Sequence, residues 1–147
     1  MNSNTVSRCW WFNVEEAVVV PLLQRRGFPR SPVSVSEVRA FAVHVLGEWG
    51  VTERLSDVEL CLSELATNAL LHGVPAGREF GVTLALDASL LRAEVRDSGD
   101  GTPVVDAPDC EQMSGRGLYL VQHLADGWGF RNHVVGKSVW CEFKFDP

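Results

Sequence analysis

The hydrophobic residues of this chain change their spacing about halfway along the sequence, and that change limits the folds it can adopt. Between residues 34 and 72 they recur every three or four residues, the period of an amphipathic helix. One such stripe comprises Val38, Phe41, Ala42, Val45, Leu46 and Trp49. From Val82 onward apolar residues alternate with other residues, as in a strand with one buried face. We therefore predict an α+β two-layer sandwich, with helices on one face of a mostly antiparallel sheet.

Two helices are predicted before the change of period. Each begins with an S-x-x-E capping box. In this motif the side chain of the serine accepts from the backbone N–H of the glutamate, and the side chain of the glutamate accepts from the backbone N–H of the serine. The two pairs are Ser34 with Glu37 and Ser56 with Glu59. The first helix is expected to end at Gly50 and the second near His72, because Gly73 and Pro75 follow.

Five segments are predicted to be strands. They are residues 17–23, 82–86, 91–96, 128–132 and 139–145. The first is an apolar run that residues 24–27 are expected to end, and the other four form two hairpins. Between the hairpins we predict a loop over residues 99–115, rich in Gly, Pro, Asp and Ser, and a short helix over residues 118–125.

Composition excludes several classes of function. The 147 residues carry a formal net charge of −6, which disfavours direct binding to nucleic acid. The four cysteines lack the spacing of a zinc site, and the apolar run 17–23 is too short to cross a membrane. We therefore expect a cytoplasmic protein with reduced thiols.

Glu64 and Asn68 lie four residues apart on the second predicted helix and therefore share a face. Four apolar residues surround that face, which we expect the sheet to cover: Leu60, Cys61, Leu65 and Leu71. A carboxylate and a carboxamide in apolar surroundings are costly unless they are bonded. They can cap nearby backbone, pair with each other, or bind a ligand.

Two glycine motifs follow. At the end of a predicted strand, Asp97, Gly99 and Gly101 form a D-x-G-x-G turn. The carboxylate can accept from an amino group while the glycines let the backbone approach a flat ring, although the same residues also make ordinary turns. The second motif, residues 115–118 (GRGL), opens a helix, where free N–H groups suit a phosphate. The alternative is a simple loop-to-helix break.

The order of these three motifs resembles the nucleotide-binding fold shared by gyrase, the heat-shock chaperone ATPase domain, histidine kinases and mismatch-repair ATPases. The resemblance spans about residues 28–145. It is strongest to the small anti-sigma factors that are also serine kinases, in residues 63–69 (SELATNA), 115–118 (GRGL) and 136–140 (GKSVW). No P-loop pattern occurs.

The resemblance implies ATP and Mg²⁺ as cofactors and a role for each matching residue. Asp97 would accept from the adenine amino group, Gly99 and Gly101 would allow close approach, and Ser138 would support the base through its hydroxyl. Asn68 would hold Mg²⁺, and Glu64 would be the general base toward a substrate serine. Residues 102–114 would form a lid. The residues implied to line the phosphates are Gly115, Arg116, Gly117 and Leu118.

The resemblance further implies an anti-sigma regulatory factor with serine/threonine kinase activity. Its partners would be a sigma factor and an anti-anti-sigma antagonist, and such proteins pair as homodimers. The alternative is a catalytically weak module that regulates transcription by ATP-dependent docking to a partner. We assign residues 17–147 to the ATP-binding domain and residues 1–16 to an N-terminal extension. That extension is either disordered or docked through Trp10, Trp11 and Phe12.

Overall fold

A computed structural model of the chain describes residues 21–74, 77–97 and 115–145. These residues form five strands, three α-helices and one π-helical turn. In chain order the elements are β1 (Leu22–Pro29), α1 (Val33–Glu48), α2 (Leu55–Asn68), the π-helical turn (Ala69–Gly73), β2 (Glu79–Asp87), β3 (Leu90–Asp97), α3 (Gly115–Leu124), β4 (Gly127–Asn132) and β5 (Lys137–Lys144).

The strands form one sheet in the order β1-β2-β3-β5-β4, and every neighbouring pair is antiparallel. Alternate residues of the central strands are buried, and their register places them on one face. They include Val82, Leu84, Leu91, Ala93, Val95, Val139, Cys141 and Phe143. The helices pack on this covered face, which confirms the predicted two-layer α+β sandwich. Within the described ranges, none of the helices combines the length and hydrophobicity needed to cross a bilayer.

Both helices predicted from capping boxes are present, but neither box is formed. The α1 helix begins at Val33 and the α2 helix at Leu55, so Ser34 and Ser56 each lie one residue inside the first turn. The Ser34 hydroxyl instead donates to the carbonyl of Pro29 at 2.7 Å, joining α1 to the end of β1. The residue before α2 is Arg54, whose φ of 59° is left-handed.

The predicted end of the first strand is wrong. Residues 17–20 lie outside the described residues, and β1 continues through 24–27 as far as Pro29, paired with β2 throughout. Polar residues do not end this strand, because β1 is at the edge of the sheet and one of its sides faces solvent. Both predicted hairpins are confirmed, and so is the glycine stop after α1, since Gly50 has φ +76°.

Candidate functional site

Asn68 is the last residue of α2, and its side chain is almost completely buried, with 5% of its surface exposed. Its Nδ2 atom has no hydrogen-bond partner among the described residues. A carboxamide offers an acceptor and a donor, and leaving one of them buried and unpaired costs free energy. The site around Asn68 therefore suits a ligand that supplies the missing partner.

Glu64 lies one helical turn before Asn68 and is half-buried. The expectation that the sheet covers its whole face is wrong in part. Cys61 and Leu65 are buried, but Leu60 and Leu71 are 41% and 67% exposed. Glu64 lies at the boundary between the core stripe of α2 and the exposed side of that helix.

Neighbouring elements hold α2 in place by hydrogen bonds. Arg39 of α1 donates to the hydroxyl of Ser63 at 3.1 Å, and that hydroxyl donates to the carbonyl of Glu59 at 2.8 Å. After Asn68 the helix continues as the π-helical turn, whose Leu70 carbonyl accepts from Arg30 at 3.3 Å. A change from α- to π-helical bonding is frequent at functional sites. Here it directly follows Asn68.

Asp97 ends β3 and is 4% exposed. Its Oδ1 accepts from the backbone N–H of Lys137 at 2.9 Å, and its Oδ2 accepts from the Lys137 ammonium at 3.1 Å. The preceding Gly136 has φ +76°, and a Cβ there would stand 2.5 Å from Asp97 Oδ1. Only glycine permits this close approach of β5 to the carboxylate.

The alternation of the strands places these groups on the covered face. Asp97 follows Val95 by two residues, and Lys137 precedes Val139 by two. Asn132 is directly opposite Lys137 in the β4–β5 register, and its Oδ1 is buried without a hydrogen-bond partner among the described residues. The same face receives Asn68, because α2 and the π-helical turn both contact β3.

The motif of residues 115–118 (GRGL) lies at the start of α3. Gly115–Gly117 form the first turn of the ten-residue helix α3, where the N–H groups have no intrahelical acceptor. Leu118 is 1% exposed and packs in the core, so its side chain is not available to a ligand. Gly99, Gly101 and the predicted lid 102–114 lie outside the described residues.

Comparison with known families fits this arrangement. Residues 28–143 match the model of the histidine kinase-like ATPase domain. The chain belongs to this family. No curated protein matches it by sequence.

The fold of this histidine kinase-like ATPase domain is also similar to a solved structure, that of the RsbU and RsbW domains of Rv1364c from Mycobacterium tuberculosis. The TM-score is 0.64 at 21% sequence identity. The match covers 87% of this chain and 33% of the solved chain, so this chain spans about a third of that protein's length. This similarity shows that the two proteins share a fold.

Ser138 is not brought to Asp97 within the described part of the domain. It is 3% exposed, and its hydroxyl lies 2.8 Å from His133 Nε2. In the register it is opposite Arg96 and Arg131, both exposed. Its side chain therefore belongs to the face away from the helices. The role that the resemblance gave to Ser138 has no contact here to support it.

The side chain that contacts Asp97 is Lys137, to which the sequence analysis gave no role. The signal was present: counting back by two from Val139 places Lys137 on the buried face, whereas Ser138 alternates away from it. Asn132 was missed because a single Asn at a strand end has many ordinary explanations. In residues 21–74, 77–97 and 115–145, no group of three or more His, Cys, Asp or Glu side chains is arranged to hold a metal ion.

Proposed function

We propose that this domain binds ATP with Mg²⁺ and transfers the terminal phosphoryl group to a serine of an anti-anti-sigma protein, acting as an anti-sigma regulatory factor. The observation that carries the proposal is the pair of buried polar side chains on the covered face. Asp97 presents a carboxylate at the sheet end, and Asn68 presents a carboxamide whose Nδ2 donor has no acceptor among the described residues and would suit a phosphate oxygen. Membership of the histidine kinase-like ATPase family supports ATP as the ligand.

Each part of the nucleotide has a suitable group. The Asp97 carboxylate would accept from the adenine amino group, and the N–H groups of Gly115–Gly117 would donate to phosphate oxygens. Asn68 would supply an oxygen ligand to Mg²⁺. The remaining ligands of the ion would be phosphate oxygens and water, which Mg²⁺ prefers to an all-protein cage.

The bound Mg²⁺ would neutralise charge on the phosphates, which is its usual contribution to phosphoryl transfer. Glu64 would accept the proton of the substrate hydroxyl, since it lies one turn from Asn68 on the same side of α2. Its exposed neighbours Leu60 and Leu71 leave room for a protein substrate. Positioning and electrostatics supply most of the catalysis in this reaction.

The partners follow from the resemblance of three segments to anti-sigma kinases: residues 63–69, 115–118 and 136–140. We propose a sigma factor as the protein held by this domain and the antagonist as its phosphoryl acceptor, in the cytoplasm and in a homodimer. The fold shared with the RsbU and RsbW domain structure supports this assignment.

The proposal is tested by incubating the protein with labelled ATP, Mg²⁺ and each candidate antagonist from the same organism. Wild type should label a serine of one of them. Glu64→Gln should keep its ATP affinity and lower transfer by roughly 10²–10⁴-fold, the usual effect of removing a general base. Asn68→Ala should weaken Mg²⁺-dependent ATP binding.

The matched control is Glu59→Gln, the same substitution five residues earlier on α2, where the side chain makes no ion pair among the described residues. It should transfer phosphate at the wild-type rate. If wild type binds ATP and a partner but labels no antagonist, the kinase assignment fails and the ATP-dependent docking module replaces it. If Glu64→Gln transfers normally, Glu64 is not the base.

A further inference from the structure

Lys137 is a charged side chain at the base-binding end of the site, and the proposed function gives it no role. Its backbone N–H and its ammonium already donate to the two carboxylate oxygens of Asp97, at 2.9 and 3.1 Å. The side chain of Lys137 is only 16% exposed and that of Asp97 only 4%. Attraction between opposite charges is stronger in such surroundings than in water.

The ion pair between Lys137 and Asp97 affects how strongly Asp97 can bind a purine. An amino group and an ammonium are both donors to Asp97. A carboxylate has about four acceptor sites, of which Lys137 occupies two, so the ammonium weakens Oδ2 as an acceptor for adenine without excluding it. The bond from an adenine amino group to Asp97 is strongest when the ammonium moves away from Oδ2. The cost of that movement depends on whether the ammonium finds another acceptor.

Asn132 offers that acceptor. It is directly opposite Lys137 in the β4–β5 register, and its Oδ1 is buried and unpaired within the described residues. Directly opposite residues have Cβ atoms about 4.5–5.5 Å apart, which the flexible four-carbon stem of a lysine can span. One cation therefore has two acceptors in reach, of which it uses one.

We propose that Lys137 sets the base selectivity of this site. The inference rests on the proposed nucleotide binding. In the free protein the ammonium bonds Asp97, and an adenine amino group displaces it to Asn132 Oδ1. Guanine carries a carbonyl oxygen where adenine carries the amino group, and that oxygen accepts from an ammonium that stays in place. Lys137 thus lowers affinity for ATP and raises affinity for GTP.

The test is a calorimetric titration of the full chain with ATP and with GTP in the presence of Mg²⁺. Lys137→Met should bind ATP about tenfold more tightly than wild type and GTP about tenfold more weakly, each about 1.4 kcal/mol. Lys144→Met is the matched control. It makes the same change at the other end of β5, and both affinities should equal those of wild type.

A double-mutant cycle tests the second acceptor. Asn132→Leu removes Oδ1 while keeping the same branched shape and number of heavy atoms, so it should weaken ATP binding several-fold while Lys137 is present. In the Lys137→Met background the same substitution should have no effect. Thermal unfolding checks that each variant folds. If Lys137→Met does not fold, Lys137→Gln should give the same signs with smaller shifts, because a neutral amide competes less strongly.

An ATP affinity that is unchanged or weaker in Lys137→Met would overturn the role of Lys137. So would an Asn132→Leu effect that is equal in both backgrounds. In either case ATP binding by wild type would still support the proposed function. A wild-type chain that binds neither nucleotide would overturn the proposed function, and this inference with it.

Discussion

An aspartate paired with a cation lies at each end of β5, and the two clusters are built differently. At one end the Asp97 carboxylate accepts from Lys137 alone among the described residues, through the backbone N–H and the ammonium of that lysine. At the other end Asp126 accepts from Arg54 at 2.6 Å and from the backbone N–H of Lys144 at 2.6 Å. Asp97 is nearly buried, whereas the Asp126 side chain is 37% exposed.

The difference lies in what each cluster connects. Arg54 precedes α2, donates also to the carbonyl of Leu124 at the end of α3, and lies over the ring of Phe143 in β5. The Asp126 cluster therefore ties three elements together and has a structural role. Asp97 and Lys137 are close already through the β3–β5 register. Their charges lie on the same covered face as Asn68 and Asn132, whose Nδ2 and Oδ1 atoms have no hydrogen-bond partner in the described part of the chain. We propose that this end of β5 binds the ligand.

The largest effect on stability is expected at Gly136, which lets β5 approach Asp97. Gly136→Ala places a Cβ against Asp97 at a φ of +76°, so both the backbone and the contact are strained. We expect a loss of roughly 2–4 kcal/mol in the free energy of unfolding. Chemical denaturation measures it.

The matched control is Gly47→Ala, in the last turns of α1, where an added Cβ meets nothing within 4 Å. It should gain roughly 0.5–1 kcal/mol, since alanine favours helix. If the two substitutions had equal effects, the close fit around Asp97 would lose its support.

A smaller effect is expected at Asp126. The backbone N–H of Lys144, and then Arg54, lower the pKa of the Asp126 carboxyl. Its stabilisation is complete above the unfolded-state pKa of about 3.9 and is lost as the pH falls through the lower folded-state pKa. Because the group is exposed to solvent screening, Asp126→Asn should cost only about 0.5–1 kcal/mol at pH 7. The difference from wild type should shrink toward pH 3.

Asp87→Asn is the control, because Asp87 is exposed and has no side-chain partner among the described residues. Its unfolding free energy should match that of wild type at both pH values. A difference between Asp126→Asn and wild type that stays constant down to pH 3 would show that the ionised carboxylate is not the cause.

The sequence was sufficient to predict the fold, because the same hydrophobic side chains that set the spacing pattern are the ones that become buried. The alternation of Leu91, Ala93 and Val95 predicted both the strand and its buried face. Element ends were harder to predict. The hydroxyl of Ser34 bonds Pro29 in another element, and the turn before α2 depends on the left-handed Arg54. Neither contact is visible in local spacing.

The site was predictable where it consists of local motifs. Asn68 is buried on the covered face as its position on α2 indicated, and Asp97 ends β3 as the strand pattern indicated. The exposure of Leu60 and Leu71 was not predictable, because it depends on how far the sheet extends beneath α2. The contact between Lys137 and Asp97 joins residues forty positions apart and depends on the β3–β5 register. The resemblance implied a role for the neighbouring Ser138 and none for Lys137.

The most direct test of the central claim is calorimetric titration of Mg-ATP and Mg-GTP into wild type, Asp97→Asn and Asp126→Asn. The amide in Asp97→Asn replaces an acceptor by a donor that opposes the adenine amino group. We predict that wild type binds ATP more tightly than GTP. Asp97→Asn should lose roughly ten- to a hundredfold in ATP affinity, about 1.5–3 kcal/mol, and Asp126→Asn should bind as wild type does. Equal ATP affinities of wild type and Asp97→Asn would contradict the account.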